Sequence, residues 1–328
     1  MSERILTGIT TSGIPHLGNY FGAIRPSLDL ANSANESFFF LADYHSIIKV
    51  NKPKEVAISA QKIAMAWLAC GLDPNKTFFY RQSDIKQILE LSWILHCVTS
   101  KGLMNRAHAY KALKSETDDK GINMGLFSYP ILMAADILIF NATKVPVGPD
   151  QTQHLEMTRD IAIKFNNIYG DIFTIPEIEI EIRSYNKGDV VVGIDDQKMS
   201  KSYNNTIPIF AENDIIKNQV MNIVTDSAGL NEAKDKDTPL FKIYSLFLND
   251  DSKKELADRY DTPGLKYMDI KKELIDTIIN FFELNKSKRE QLLKNDDEVN
   301  QKMILGRNKA REVAQETLNK VKNAVGLP

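Results

Sequence analysis

Arg4-Ile5-Leu6-Thr7-Gly8-Ile9-Thr10 is a short apolar run near the start of the chain, and it leads into a glycine-rich turn. Gly18 to Ala31 follows with the spacing of a helix. A second apolar run, Ser37 to Ala42, is followed by the helical pattern of Pro53 to Cys70. Because strands that alternate with helices usually pair in parallel, this order predicts a parallel, doubly wound sheet.

The alternation of strands and helices continues to about Asn205. The sequence therefore predicts an α/β fold, with a Rossmann-like domain over residues 1–205. The remaining strands are predicted at Thr77 to Tyr80, Lys144 to Gly148, Glu177 to Arg183 and Asp189 to Ile194, and the remaining helices at Ile85 to Val98, Gly125 to Phe140 and Gln151 to Phe165.

The pattern changes after Asn205, where strands stop and charged helical patterns take over. We place a boundary near Ser202 to Pro208, which predicts a second, mainly α-helical domain over residues 206–328, with a last helix able to pack back on the first domain. Its helices are predicted at Ala211 to Val224, Leu240 to Leu248, Asp251 to Tyr260, Met268 to Leu284 and Ser287 to Val325.

The composition is ordinary for a soluble globular protein. Of the 328 residues, 43% are hydrophobic and 26% are charged, and the net charge is −2. This balance excludes a polycationic coat for nucleic acid. Any binding of phosphate groups must therefore use positive charge that is concentrated locally.

The two cysteines, Cys70 and Cys97, lie inside apolar helical patterns and are interpreted as small buried thiols. Since paired cysteine spacings are absent, the sequence predicts neither a zinc site nor an iron–sulfur cluster. The chain also shows no basic-then-apolar signal segment and no apolar run long enough to cross a bilayer. We therefore expect a cytoplasmic protein.

Two polar segments carry the groups that phosphate chemistry needs. Pro15-His16-Leu17-Gly18-Asn19 opens a helix whose free N–H groups attract anions, and the His16 and Asn19 side chains can donate to phosphate oxygens. Lys198-Met199-Ser200-Lys201-Ser202 carries two ammonium groups that can neutralise charge developing on a leaving phosphate. The alternatives are a surface turn and solvated lysines, and the presence of both segments in this order favours the functional interpretation.

These two segments resemble the two signature sequences of class I aminoacyl-tRNA synthetases. Gly18 to Ala23, Leu132 to Leu138 and Val145 to Glu156 are similar to the tryptophanyl-tRNA synthetase family. The resemblance runs from about Leu6 to Asn205 and is thin in the helical part. It implies an enzyme that activates L-tryptophan with ATP and Mg²⁺, releases pyrophosphate and transfers tryptophan to tRNA(Trp). It also implies a homodimer and anticodon reading by the C-terminal helices.

The resemblance assigns a tryptophan pocket to residues around one apolar helix. An indole N–H is a donor only, so the pocket needs an acceptor, and Asp136 supplies one in an otherwise apolar helix. In the family, the aspartate at this place accepts the indole N–H; a paired charge or a helix cap is the alternative interpretation. The other residues implied are Met133 against the ring, Leu6 and Val147 as apolar walls, and Tyr129 and Gln151 at the ammonium and carboxylate groups.

The resemblance also implies an ATP site and a set of catalytic residues that act by positioning and charge stabilisation. Lys111 stands where the family has a lysine that assists the polyphosphate, although a solvated helix lysine is the alternative. Many members have Gln-Pro in place of Thr10-Thr11 and Glu in place of Pro149, so side-chain contacts there depart from the family pattern. The ATP site comprises Thr10, Thr11, Ser12, Gly18, Asn19, Gly148, Pro149, Asp150, Val191, Lys198, Met199, Ser200, Lys201 and Ser202, and the catalytic set is His16, Asn19, Lys111, Lys198 and Lys201.

Two other functions remain open from the sequence. Tyrosyl-tRNA synthetase shares the expected fold, but its pocket must serve a hydroxyl that both donates and accepts, whereas Gly148 to Gln153 is of the tryptophanyl type. A non-catalytic RNA-binding paralogue is expected to lack some of the four residues that handle phosphate. All four are present: His16, Asn19, Lys198 and Lys201.

Overall fold

A computed structural model of the chain describes residues 3–9, 15–48, 52–107, 122–148, 151–177 and 190–328. Within these ranges, no helix combines the length and the apolar character that crossing a bilayer requires. The described residues form a parallel sheet that is covered by helices on both faces.

Three parallel strands form the centre of the fold, in the order β1 (Arg4–Ile9), β2 (Glu36–Leu41) and β3 (Thr77–Arg81). Their runs of buried aromatic and branched residues suit strands that are covered on both faces. Beyond β1, Lys144 makes isolated parallel bridges to Ile5 and to Glu177. The predicted doubly wound α/β fold is therefore confirmed.

The helices follow the strands along the chain. The first begins as α1 (Leu17–Asn19), continues through a π-helical turn (Tyr20–Ile24) and ends as α2 (Arg25–Ser33). The others are α3 (Asp43–Ser46), α4 (Pro53–Ala69), α5 (Gln87–Val98), α6 (Lys101–Met104), α7 (Met124–Leu138), α8 (Thr152–Tyr169), α9 (Asn213–Met221), α10 (Pro239–Ser245), α11 (Asp250–Asp261), α12 (Tyr267–Leu293) and α13 (Asp296–Val325).

Side chains that alternate along the strands divide the core into two layers. Phe39 and Phe79 point into a layer with α4 and with much of the helical region after residue 205. Phe38 and Tyr80 point into the opposite layer, which α5, α7, α8 and α13 complete. The residues before and after 205 therefore share both cores.

The last helix, α13, lies directly against β3. A Cβ at Gly306 would overlap the backbone nitrogen and oxygen of Phe79, so only glycine allows this approach. The Arg311 guanidinium donates to the backbone oxygen of Asp84 at 2.8 Å. The helix thus covers the outer edge of β3, which leaves that edge protected from pairing with another strand.

Three sequence predictions need correction. The strand expected over Lys144 to Gly148 is reduced to the bridge at Lys144, and the described part of that expected over Asp189 to Ile194, residues 190–194, is reduced to one bridge at Val192, because the chain turns at Ile194 and Asp195. The gap between the last helices lies near Lys294, not near Asn285. Asn285 instead stays helical and donates to the Ala69 carbonyl at 2.9 Å.

The two cysteines differ in their environments. Cys70 is buried, as predicted, and burial raises the pKa of its thiol to about 12. Cys97 is exposed, so the interpretation of that residue as a buried thiol is wrong. The helix that carries it, α5, is apolar almost all round, and periodicity could not identify its outer face.

Candidate active site

The carboxyl ends of the strands bring three polar side chains to one point. Asp136 on α7 is only 1% exposed. The Gln82 amide, just after β3, lies 2.9 Å from each carboxylate oxygen, and His45 Nε2, after β2, lies 2.9 Å from Oδ2. This is the edge of a parallel sheet at which ligands usually bind.

Burial dominates the electrostatics of Asp136. Desolvation raises the pKa of its carboxyl, and the negative charge of Asp43 adds to this effect. The hydrogen bonds from His45 and Gln82 act in the opposite direction because they stabilise the ionised form. A carboxylate in this setting accepts hydrogen bonds strongly, since the surroundings offer little competing solvent.

The apolar residues that the sequence assigned around Asp136 lie in the same core layer. Leu6 is 1% exposed, and Met133 and Val147 are partly buried in the same cluster. On α7, Tyr129, Met133 and Asp136 are spaced four and three residues apart, which places them on one helix face. The three apolar residues that the sequence assigned to this pocket thus belong to one core layer, and their assignment to the pocket stays a prediction.

A second set of polar groups connects to the same pocket through His154. The Tyr129 hydroxyl lies 2.7 Å from His154 Nε2, and His154 Nδ1 lies 2.9 Å from Gln151 Oε1. The Tyr129 ring meets the His45 ring edge to face, with centroids 6.2 Å apart. Sequence reasoning gave Tyr129 and Gln151 a role but left His154 without one, and the aromatic contact connects these three side chains to His45 on Asp136.

Sequence reasoning also missed Gln82, the residue whose amide contacts both oxygens of Asp136. Gln82 has no exposed surface, although it is polar. The only signal in the sequence is its position immediately after a buried strand, at the end where ligands bind. His45 lies in α3, four residues after the end of β2, and its ring nitrogen contacts Asp136.

His16 begins the first helix and is 6% exposed. Its backbone N–H donates to Asn19 Oδ1 at 3.2 Å, which fixes the start of the helix. Burial, together with the positive charge of Lys201, lowers the pKa of the His16 imidazole to about 4. His16 is therefore neutral near pH 7 and acts as a hydrogen-bonding group rather than as a cation.

The turn at His16 and the segment Lys198 to Ser202 touch each other. The Gly18 backbone N–H lies 3.2 Å from Met199 Sδ. A Cβ at Gly18 would lie 3.0 Å from His16 Nδ1 and 3.2 Å from Met199 Cβ, so a larger residue would have to push these neighbours away by a few tenths of an ångström. The chain after the lysine loop also pairs with this turn through the bridge between His16 and Pro208.

One buried amide holds the lysine loop, residues 198–202, in place. Asn205 is 1% exposed, and its side chain accepts from the Ser200 N–H at 2.8 Å and donates to the Lys198 carbonyl at 3.0 Å. Its amide nitrogen also donates to Asp195 Oδ1 at 2.7 Å. The Met199 side chain is buried, whereas Lys198, Lys201 and Ser202 are exposed. The loop thus presents its charges outward from a fixed backbone.

A family model described as tRNA synthetases class I (W and Y) matches residues 2–283. The chain belongs to this family. The tryptophan–tRNA ligase of Neisseria meningitidis is 47% identical, and the alignment covers 99% of this chain and 98% of that protein. The tryptophan–tRNA ligase of Pseudomonas putida is 46% identical over 100% of this chain and 74% of that protein.

A solved structure extends the class I family likeness to the three-dimensional fold. The tryptophanyl-tRNA synthetase of Campylobacter jejuni, complexed with ADP and tryptophan, is 42% identical with a TM-score of 0.90. The match covers 99% of this chain and 100% of the Campylobacter jejuni chain. The fold therefore agrees with that of a tryptophanyl member of the class I family over almost its whole length.

Two other residues that the sequence assigned to the ATP site are held by backbone hydrogen bonds. Gly148 accepts from the Gln151 N–H at 2.9 Å, and the Val191 carbonyl accepts from the Met199 N–H at 2.9 Å. Within the described ranges, no cluster of three or more metal-ligating side chains occurs. Several predicted ATP-site and catalytic residues lie outside the described residues: Thr10, Thr11, Ser12, Lys111, Pro149 and Asp150.

Proposed function

We propose that this chain is a tryptophan–tRNA ligase, which activates L-tryptophan with ATP and transfers it to tRNA(Trp). The observation that carries the proposal is the buried carboxylate of Asp136, held as an acceptor at the ligand-binding edge of the sheet. The two relatives named for this activity, at 47% and 46% identity, support the same substrate.

Asp136 would accept the indole N–H of tryptophan. A carboxylate has about four lone-pair sites, so the contacts from Gln82 and His45 leave one for the substrate. Met133, Leu6 and Val147 would enclose the ring, and Tyr129 and Gln151 would hold the ammonium and carboxylate groups. A phenyl ring offers no donor to the buried acceptor, so the pocket would reject phenylalanine.

Activation would join the amino acid to the α-phosphate of ATP. A carboxylate oxygen of tryptophan attacks the α-phosphorus, the bond from that phosphorus to the bridging oxygen breaks, and pyrophosphate leaves with its electron pair. The nucleophile is already ionised, so no side chain has to remove a proton. Lys198 and Lys201 would neutralise the charge on the leaving group, and the contact between Gly18 and Met199 would keep them beside the nucleotide.

His16 and Asn19 would donate hydrogen bonds to the phosphates from the start of the first helix. Mg²⁺ would accompany ATP as part of the substrate and bridge phosphate oxygens. The remaining ATP contacts, including those from Gly148 and Val191, and the contribution of Lys111, belong to the same proposal. None of these residues has to supply a group that forms a covalent bond with the nucleotide.

Transfer would then move tryptophan from the adenylate to the 3′-terminal adenosine of tRNA(Trp). We place anticodon reading in the helical region over residues 206–328, which would form the second domain. Single-stranded loops are read by base stacking and by hydrogen bonds to base edges, and helices can present such groups. This role in translation would place the protein in the cytoplasm.

We further propose that two copies pair through the outer face of α5. Leu89 is 44% exposed, Trp93 is 70% exposed, and the exposed Cys97 follows four residues later on the same face. Apolar side chains spaced in this way on one helix would be covered by the same surface of a second copy. Sedimentation should give a dimer for the wild type and a monomer for Trp93→Glu. Leu284→Glu, which adds the same charge at another exposed leucine, should remain dimeric.

The first test is ATP–pyrophosphate exchange with tryptophan, tyrosine and phenylalanine, in the wild type and in Asp136→Ala. Exchange with tryptophan alone, and its loss in the variant, supports the proposal, and aminoacylation of tRNA(Trp) would complete it. Exchange with tyrosine would indicate the tyrosyl enzyme. No exchange with any of the three would indicate a non-catalytic paralogue.

A further inference from the structure

Gln82 is a fully buried amide whose neighbours determine how it is oriented. Its Oε1 accepts the backbone N–H of Tyr44 at 3.1 Å. The other end of the amide must then be the NH₂ group, which lies 2.9 Å from both oxygens of Asp136. The amide cannot rotate by half a turn without setting a carbonyl against a carboxylate and an NH₂ against an N–H.

The backbone on both sides of Gln82 is also fixed. Asp43, at the end of β2, accepts the backbone N–H groups of Tyr44 and Ser83, each at 3.0 Å, as well as the Ser83 hydroxyl. The ends of β2 and β3 are thereby tied together around Gln82. Since the strand ends hold the amide in place, its N–H groups are directed at Asp136 before any ligand arrives.

These contacts determine whether Asp136 can donate a hydrogen bond to a ligand or can only accept one. Gln82 directs its NH₂ group at both oxygens of Asp136, and a proton on either oxygen would meet this donor, while His45 Nε2 lies 2.9 Å from Oδ2 and donates to it when Nε2 carries the proton. The charged and titratable groups around it are His45 and Asp43, from the end of β2, and Tyr80, from β3. A carboxyl that must accept these N–H groups has no hydrogen to offer a ligand, so it pairs only with a ligand that donates.

We propose that Gln82 is a positioning residue that keeps Asp136 an acceptor and thereby sets the selectivity for a side chain with an N–H donor. This inference rests on the proposed function, because it concerns how the same pocket chooses tryptophan. Gln82 does not have to touch the substrate. Gln82 acts through Asp136. The apolar walls of the pocket would have a different role, because they would fit the ring.

The test compares tryptophan with its benzothiophene analogue, in which sulfur replaces the indole N–H and the ring shape is kept. For each substrate, kcat/KM is measured by pyrophosphate exchange, and the ratio of the two values is the selectivity. The wild type should favour tryptophan by about 10²-fold or more. In Gln82→Met, the selectivity should fall to less than about 10-fold, because the carboxyl can then take up a proton and lose its preference for a donor.

Gln61→Met is the matched control. Gln61 lies on α4 and accepts a hydrogen bond from Arg81, the residue next to Gln82, at 3.0 Å, and it is not among the described hydrogen-bond partners of Asp136. The selectivity of Gln61→Met should equal that of the wild type. If Gln82→Met lowers kcat/KM for both substrates by the same factor, Gln82 only shapes the pocket and the proposal is wrong.

Gln82→Glu provides a second readout that does not depend on the tolerance of the core for methionine. Near pH 6, the introduced carboxyl and Asp136 would share one proton, so Asp136 would carry it part of the time and lose its preference for a donor, whereas near pH 9 both groups would be ionised and Asp136 could only accept. The selectivity should therefore be lower at about pH 6 than at about pH 9 in this variant, and constant in the wild type. A constant ratio in both proteins overturns the proposal. Failure of the wild type to exchange tryptophan overturns the proposed function itself, and with it this inference.

Discussion

Asp136 is 1% exposed and receives hydrogen bonds from Gln82 and His45, whereas Lys198 and Lys201 extend from the surface of a loop that a buried amide holds in place. In the first region, the functional group is buried and its neighbours are fixed around it. In the second, the backbone is fixed and the functional groups are left at the surface.

The proposed function gives a reason for this difference. Selection between similar side chains needs a desolvated acceptor, because an analogue without a donor then leaves a buried group unpaired. Neutralisation of a leaving phosphate needs ammonium groups that keep their protons, and burial works against this. Partial burial already lowers the pKa of Lys201 from its ordinary value of 10.5. Because the loop buries Met199 and exposes its lysines, the lysines avoid a larger fall in pKa.

The largest effect is expected from Asp136→Asn. Asparagine has one acceptor oxygen and one donor group, so at least one donor would face Gln82, His45 or the indole N–H. We expect kcat/KM for tryptophan to fall about 10³-fold, mainly through a higher KM for tryptophan. Steady-state exchange kinetics measure this split. A fall in kcat with an unchanged KM would mean that Asp136 acts in the chemical step rather than in recognition.

The next largest effect is expected from Lys201→Ala. Loss of one positioned cation should lower kcat about 10²–10³-fold, and the KM for tryptophan should change little, because the lysine meets charge only as the bond breaks. Lys217→Ala is the control, since Lys217 is an exposed helix lysine that pairs with Asp214 at 3.2 Å. If Lys217→Ala lowers kcat as much as Lys201→Ala, a general loss of surface charge explains the result.

The sequence alone predicted many of the elements and motifs in these two regions, because the patterns that indicate them lie within single short segments. The strand at Glu36–Leu41 and the helix at Pro53–Ala69 follow from runs and spacings within one segment. The lysine loop and the His16 turn were identified from residue types in short motifs. The structure adds that the loop and the turn, which lie far apart in the chain, touch through Gly18 and Met199.

Other features depended on contacts that no local pattern carries. Gln82 gains its role from Tyr44 and Asp136, which belong to separate elements. The strand expected at Lys144 to Gly148 forms only one bridged position, because strand formation depends on a partner. Asn205 was placed at a domain boundary from composition, and its buried contacts to the lysine loop had no signal in the sequence.

A smaller effect is expected from Asn205→Ala, which removes the amide that holds the loop but leaves both lysines. Kcat should fall about 10-fold, and the free energy of unfolding should fall by about 1–3 kcal/mol, because the Ser200 N–H and the Lys198 carbonyl lose a buried partner. Exchange kinetics and urea unfolding measure the two effects. Asn218→Ala, an exposed asparagine on α9, should change neither. An unchanged kcat in Asn205→Ala would show that the lysines do not depend on a fixed backbone.

The smallest effect is expected at His16, which is buried like Asp136 but lies beside Lys201. Burial and the Lys201 charge lower its pKa to about 4, so the folded protein resists a proton that the unfolded chain, with an ordinary value near 6.5, accepts. Above pH 6.5 the imidazole is neutral in both states and contributes no pH dependence. As the pH falls from there toward 4, the wild type should lose stability from this source, by about 1–2 kcal/mol at pH 5.

His16→Asn should not lose stability from this source as the pH falls. The variant should keep the start of the helix, because asparagine is favourable at the position that begins a helix. The measurement is the difference in free energy of unfolding between the two proteins, from urea titrations at about pH 7.5 and pH 5. The difference should shift in favour of the variant at the lower pH, and added salt should weaken the shift only in part, since desolvation is the larger cause. A difference that is the same at both pH values would mean that His16 titrates alike in the folded and unfolded chain, and that the turn beside the lysine loop is as open to water as the loop itself.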